Sequence, residues 1–364
     1  MGSIPTRPTM LRQTRAIRRL RWFSLVALML SACTGNGTAA APAITSTTVA
    51  VVTTAVPSSS TPATALAPIG STGCDGAPPA LPGETLESFT AVGLDGTFVR
   101  RLPPSYDGMR ALPVVIALHG WTQSPALLAL ESALPAATDA AGYVLVMPDI
   151  TRAVSMWDVG MESADATWFG ELLDEVETSL CIDTSQVFLT GMSNGSMMTS
   201  TLLCRFADRI TAAAPVAGLR VPEGCEPSRP VPIITFHGTD DPYLAYGGGF
   251  GAKVAALAAP DGDGALGDVV ASGPDATSVA DRVAAWAELN GCAAPLTATR
   301  VAADVTLLAT VGCAAPVQLY TVESGGHSWP GSAFDQAIGE FVGPTTTSID
   351  ATEMMVAFFA EAVQ

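Results

Sequence analysis

The chain is poor in histidine, in positive charge and in long apolar runs. Its 364 residues include three histidines, and 17 Lys+Arg stand against 34 Asp+Glu, a formal net charge of -17. Six of the basic residues (Arg7, Arg12, Arg15, Arg18, Arg19 and Arg21) fall in the first 32 positions, where there is no acid. The remainder, 11 basic residues against 34 acids, sits near -23. That balance argues against nucleic acid or an anionic membrane surface as a partner. The apolar run from Trp22 to Leu30 is about half the ~20 residues that a membrane-spanning helix needs. No two cysteines are spaced CxxC and none has a histidine beside it, which argues against zinc. Asp261, Asp263 and Asp268 match no EF-hand spacing, so they read as part of a solvated loop. No metal and no cofactor are expected.

What is present falls into three segments. Residues 1–32 read as an export signal: a basic stretch ending Arg18-Arg19-Leu20-Arg21, an apolar run, then Leu30-Ser31-Ala32-Cys33. Small residues just before a cysteine resemble the lipobox of bacterial lipoproteins, which would make Cys33 the lipidated mature N-terminus. The alternative is an ordinary cleaved signal, and Arg18-Arg19 leaves Sec and twin-arginine export both open. Residues 33–75 are dominated by Ala, Thr, Ser and Pro, with no charge between 34 and 73, and cannot bury a core. They read as a disordered tether with a reach of roughly 35 Å. Residues 76–364 form the folded domain. An exported location, lipid-anchored and facing outward, or secreted, is therefore expected.

Seven cysteines fit an oxidising compartment. With Cys33 reserved for lipid, six remain, enough for three disulfides. The short closures are Cys292 with Cys313 and Cys204 with Cys225; Cys74 with Cys181 follows by elimination.

The domain alternates strand-like and helix-like patterns. A hairpin is expected from Ser88–Val92 to Thr97–Arg100 around Asp95-Gly96. Continuous apolar runs at 112–118, 142–147, 186–190, 210–216, 231–236 and 317–322 look like strands buried on both faces. Helical periodicity spans 165–180, 194–206, 279–289 and 350–362. The alternation implies an α/β domain with a mostly parallel sheet covered by helices on both faces. Ligands in such sheets bind at the carboxyl ends of strands. The loop 243–278 breaks the pattern, and its Gly- and Asp-rich part, 247–275, is a candidate lid or substrate-facing segment.

The chemistry-bearing motifs lie at those strand ends. Gly191-Met192-Ser193-Asn194-Gly195 is a G-x-S-x-G pentapeptide between an apolar run and a helical stretch, the setting of a nucleophile on a strained strand-to-helix turn. A serine hydroxyl needs a base. Of His119, His237 and His327, only the last two follow Ser193, as the order Ser, acid, His requires. His327 lies in a Gly-rich loop after the last strand and is the candidate base. His237 reads as part of the turn presenting the acid, for which Asp240 and Asp241 are both candidates. A lone histidine is more often a structural residue; here all three stand beside glycine at strand ends. His119-Gly120-Trp121 is placed as an oxyanion loop, with the backbone N–H groups of Trp121 and Asn194 as donors.

Together, HGWTQ (119–123), GMSNG (191–195), HGTDDP (237–242) and GGHSWPG (325–331) resemble the polyhydroxybutyrate depolymerase-type esterases, relatives of the feruloyl and acetylxylan esterases of carbohydrate esterase family 1. CIDTSQVFLTGMSNG, APVAG and WAELNGC extend the likeness over roughly residues 84–362. The resemblance implies the α/β-hydrolase fold and a serine esterase. Its nucleophile and base fall on Ser193 and His327, and its H-G-x-x-D pattern on His237, Gly238 and Asp241, which selects Asp241. Where the family usually carries a second glycine, this chain has Ser196. The implied substrates are small or oligomeric carboxylic esters: hydroxybutyrate oligomers, short-chain or feruloyl-type esters. The competing expectations are a feruloyl or acetylxylan esterase acting on plant polysaccharide, a peptidase of the same fold, and a non-catalytic binding lipoprotein that keeps it.

Overall fold

The computed structural model describes residues 67–75, 80–255, 276–293, 295–310, 312–313 and 315–363. The signal segment, Cys33, nearly all of the tether, and residues 256–275 of the Gly- and Asp-rich loop lie outside them.

Among the described residues, ten strands form one sheet: β1 (Gly83–Ala91), β2 (Leu94–Leu102), β3 (Leu112–Leu118), β4 (Val144–Ile150), β5 (Ile182–Met192), β6 (Ala212–Val216), β7 (Ile233–Gly238), β8 (Thr297–Ala302), β9 (Val305–Ala309) and β10 (Val317–Val322). Their order is β1-β2-β4-β3-β5-β6-β7-β10-β9-β8. The middle six run parallel, and each edge ends in an antiparallel pair. The helices are α1 (Pro125–Ser132), α2 (Leu134–Ala141), α3 (Ala164–Ser179), α4 (Asn194–Arg205), α5 (Ala252–Ala255), α6 (Val279–Leu289), α7 (Ala333–Ala337), α8 (Gly339–Val342) and α9 (Ala351–Glu361). Polar caps start several of them: the side chains of Ser163, Ser278 and Asp350 accept first-turn N–H groups of α3, α6 and α9.

The apolar runs are continuous because both faces are covered. Along β3, Val114, Ile116 and Leu118 join Trp168, Met198 and Trp286 of α3, α4 and α6. Val115 and Ala117 point the other way, into a core with Leu128, Leu134 and Phe359 of α1, α2 and α9. Three disulfides, Cys74–Cys181, Cys204–Cys225 and Cys292–Cys313, fasten the periphery. No helix among the described residues is long and apolar enough to cross a membrane.

The first hairpin turns earlier than expected. β1 and β2 meet at Val92-Gly93, where both residues have positive φ (46° and 78°), as a two-residue hairpin turn with right-handed twist requires. Asp95 and Gly96 lie in β2 instead. Gly96 is needed for close approach, because a Cβ there would meet Trp168 at 2.6 Å.

Candidate active site

Ser193 occupies the sharp turn between β5 and α4, with φ 56° and ψ -116°. Positive φ in a non-glycine residue costs energy and persists only when its surroundings enforce it. Here the enforcement is steric. A Cβ on Gly195 would stand 2.1 Å from Leu118 O, and one on Gly191 would stand 2.6 Å from the Gly195 backbone. The two glycines let β5, β3 and α4 close on one another with the serine at the apex.

The turn after β7 separates the two aspartates. Asp240 is exposed, whereas the Asp241 side chain is completely buried. Asp241 Oδ1 accepts the N–H groups of Tyr243 (2.8 Å) and Leu244 (2.9 Å). Its Oδ2 accepts His327 Nδ1–H at 2.7 Å and lies 3.3 Å from His237 Nε2. Burial by itself would raise this carboxyl's pKa. The His327 charge and the hydrogen bonds of both histidines outweigh it and hold Asp241 well below the usual carboxylate range.

His327 follows β10 on a loop anchored by its own backbone, His327 N–H to Val342 O at 2.6 Å and Gly326 N–H to Pro344 O at 2.7 Å. His237 donates from Nε2 to Leu244 O at 2.9 Å, so it buttresses the acid turn. His119 is a buried anchor of its loop, with Nδ1 2.8 Å from Gly120 O and Nε2 3.1 Å from Asp149.

A cleft of about 360 Å³ opens beside Ser193, lined mostly by apolar side chains that include Trp121, Met156, Met197 and Phe250. Tyr243 lines it too, and packs its ring against the His327 imidazole at 5.1 Å. Phe250 and Val254 belong to the described start of the 247–275 loop, so that part faces the cleft. At the other wall, the Gly120 N–H is taken by Gln123 Oε1 (2.7 Å) and the Thr122 N–H by Ser155 O (2.7 Å). The Trp121 N–H lies between those two, and the Asn194 N–H is the first of α4, where no intrahelical acceptor exists. Among the described residues, no group of His, Cys, Asp and Glu side chains is placed to hold a metal ion.

The nearest thing to a missed partner is the Asn194 side chain. Its Oδ1 accepts Trp157 N–H at 2.6 Å and its Nδ2 donates to Trp157 O at 3.1 Å. That clasp joins distant segments, and no local pattern announces it. Gln123 closes the HGWTQ segment, and its side chain joins the Gly120 N–H to Glu131.

A solved acetyl xylan esterase from Aspergillus awamori superposes with a TM-score of 0.50 at 13% identity, covering 71% of this chain and 98% of that one. The chain has the α/β-hydrolase fold. Sequence relatives include a bifunctional acetylxylan esterase/xylanase of Neocallimastix patriciarum, 34% identical over 37% of this chain, and feruloyl esterase B of Piromyces equi, 26% identical over 63% of it. The match spans 20% and 42% of those two proteins' own lengths. No family model matches the chain.

Proposed function

We propose that this protein is a serine esterase working through an acyl-enzyme. The observation that carries the proposal is Ser193, forced into positive φ on a strand-to-helix turn at the rim of an apolar cleft, with the imidazole of His327 oriented by buried Asp241 under a ring that lines the same cleft. Ser193 Oγ attacks the ester carbonyl. Asp241 engages Nδ1 of His327, so Nε2 is the nitrogen left to take the serine proton and return it to the departing alcohol. The N–H groups of Trp121 and Asn194 receive the oxyanion. Water then repeats the cycle and frees Ser193.

The names of the two sequence relatives and the size of the cleft support carboxylic esters with a compact acyl group. Acetyl and feruloyl esters and hydroxybutyrate oligomers all belong to that class, and the motif resemblance to the polyhydroxybutyrate depolymerase-type esterases favours the last. Three disulfides fit an exported protein. Export with Cys33 as lipid anchor completes the proposal: Cys33→Ala should move the protein from the membrane fraction to the soluble one.

The decisive experiment is Ser193→Ala. Hydrolysis of p-nitrophenyl esters and covalent labelling by a fluorophosphonate should both fall to background, with thermal unfolding nearly unchanged. Wild-type turnover by the variant would refute the assignment, and an unlabelled folded wild type would favour the binding module. A panel of acetyl, feruloyl and hydroxybutyrate esters ranks the substrates.

A further inference from the structure

Two buried acids have no part in that reaction. Glu131 lies in the last turn of α1 and Asp335 within α7, and both are almost wholly shielded from solvent. Glu131 Oε2 accepts from Gln123 Nε2 at 3.0 Å, and Gln123 Oε1 in turn accepts the Gly120 N–H of the oxyanion loop. Asp335 Oδ2 accepts the N–H of Trp329, two residues beyond His327, at 2.6 Å. The remaining oxygen, Asp335 Oδ1, meets no N–H or hydroxyl donor. Glu131 is the neighbouring acid: the charge of Asp335 and a hydrogen bond between the two side chains both raise the Glu131 pKa.

Two carboxylates cannot make that contact without a proton between them. The neighbours say which acid holds it. Gln123 uses its carbonyl on Gly120, so it must donate to Glu131 Oε2. The other Glu131 oxygen is then free to carry a proton and donate it to Asp335, which already accepts from Trp329.

We propose that Glu131 and Asp335 are positioning residues, whose shared proton ties the loop bearing the oxyanion donor Trp121 to the loop bearing the base His327. The proposal rests on acyl transfer at Ser193. The bond path from Gly120 through Gln123, Glu131 and Asp335 to Trp329 then fixes the spacing of donor and base across the cleft.

The titratable groups facing the pair are the two acids themselves and His327, which acts on Asp335. Asp350, at the start of α9, is committed to the N–H groups of Thr352 and Glu353. Burial, reinforced by the charge of Asp335, pushes Glu131 up to about 8. Burial also raises Asp335, against the Trp329 N–H and the His327 charge. As pH rises through about 8 the proton leaves and like charges face each other, which loosens the tie.

The test is the pH profile of kcat/KM on an ester that Ser193→Ala cannot hydrolyse. Wild type should lose activity above pH of about 8. Glu131→Ala should lower kcat roughly ten- to a hundredfold with little change in KM, the scale of a small misplacement of reacting groups. Glu131→Gln should restore most of that rate, since its carbonyl accepts from Gln123 and its N–H donates to Asp335, and the alkaline fall should vanish. Glu131→Gln with Asp335→Asn sets two amide donors against each other, and the rate should drop again. Wild-type kcat in Glu131→Ala, a persisting alkaline fall in Glu131→Gln, or a double variant as active as the single would each overturn the proposal. Should Glu131→Ala not fold, the Glu131→Gln profile decides. Residual hydrolysis by Ser193→Ala would instead mark failure of the esterase reading.

Discussion

Asp241 and the Glu131–Asp335 pair are all buried, yet their environments drive them to opposite states. Asp241 is met by two backbone N–H groups and two imidazoles. Burial pushes its pKa up, and the His327 charge with the surrounding donors pulls it further down. Glu131 has one amide donor and a second acid, so burial prevails and its pKa rises. Depth therefore does not set charge here; the sign of the neighbouring charge and the donors aimed at each carboxyl do. One site keeps an anion beside the His327 imidazole, the other favours a retained proton on Glu131.

The strongest way to break the contrast is to remove the anion. Asp241→Asn keeps the size of the side chain but makes Nδ1 of His327 face a neutral amide, which favours the wrong tautomer. Loss of kcat by a factor on the order of a thousand or more is expected, from the behaviour of such substitutions in serine hydrolases generally. The acyl-enzyme burst with a p-nitrophenyl ester checks it: a burst at wild-type rate would mean that another residue orients His327.

A smaller effect should come from the second imidazole. His237→Ala removes one donor from Asp241 and leaves Leu244 O without its partner. About a tenfold loss in kcat is expected, the worth of a charge-assisted hydrogen bond partly replaced by solvent. His237→Gln, which keeps a donor in that place, should recover part of it. Equal rates for the two variants would show that His237 only fills space.

These residues differ in how visible they were. The turn around Ser193 is legible because its glycines answer a local steric demand, and the pairing of His327 with Asp241 because the chain holds few histidines. The parallel strands showed as apolar runs because two cores claim alternate side chains of the same strand, as along β3. β8 and β9 did not show: Thr297–Ala302 is exposed almost throughout, and an edge hairpin has no buried face to write a pattern. Asp95-Gly96 looks like turn chemistry but lies in β2, where its glycine serves the approach of Trp168. Glu131 and Asp335 carry no local signal at all. A glutamate in an apolar helix reads as a solvent-facing residue until the fold brings a second acid against it.

The smallest effect expected is on stability, and it sharpens the comparison by sign. Asp241, with its folded pKa lowered, stabilises the fold above the ordinary carboxylate pKa and loses that contribution as pH falls through its folded value. The Glu131–Asp335 pair, with pKa values raised, contributes most below the unfolded value and loses it as pH rises towards about 8. Wild type should therefore melt lower at both ends of the pH range, for different reasons. Asp241→Asn should flatten the fall below the ordinary carboxylate value of 3.8, and Glu131→Gln the fall between 4.5 and about 8, each by a few degrees, since 1 kcal/mol moves the melting point of a domain this large by roughly 2–4 °C or less. Calorimetric melts at acid, neutral and alkaline pH would test this. If Glu131→Gln altered the fall below 3.8 that belongs to Asp241, or both variants shifted all three melts equally, the opposite protonation of the two sites would be wrong.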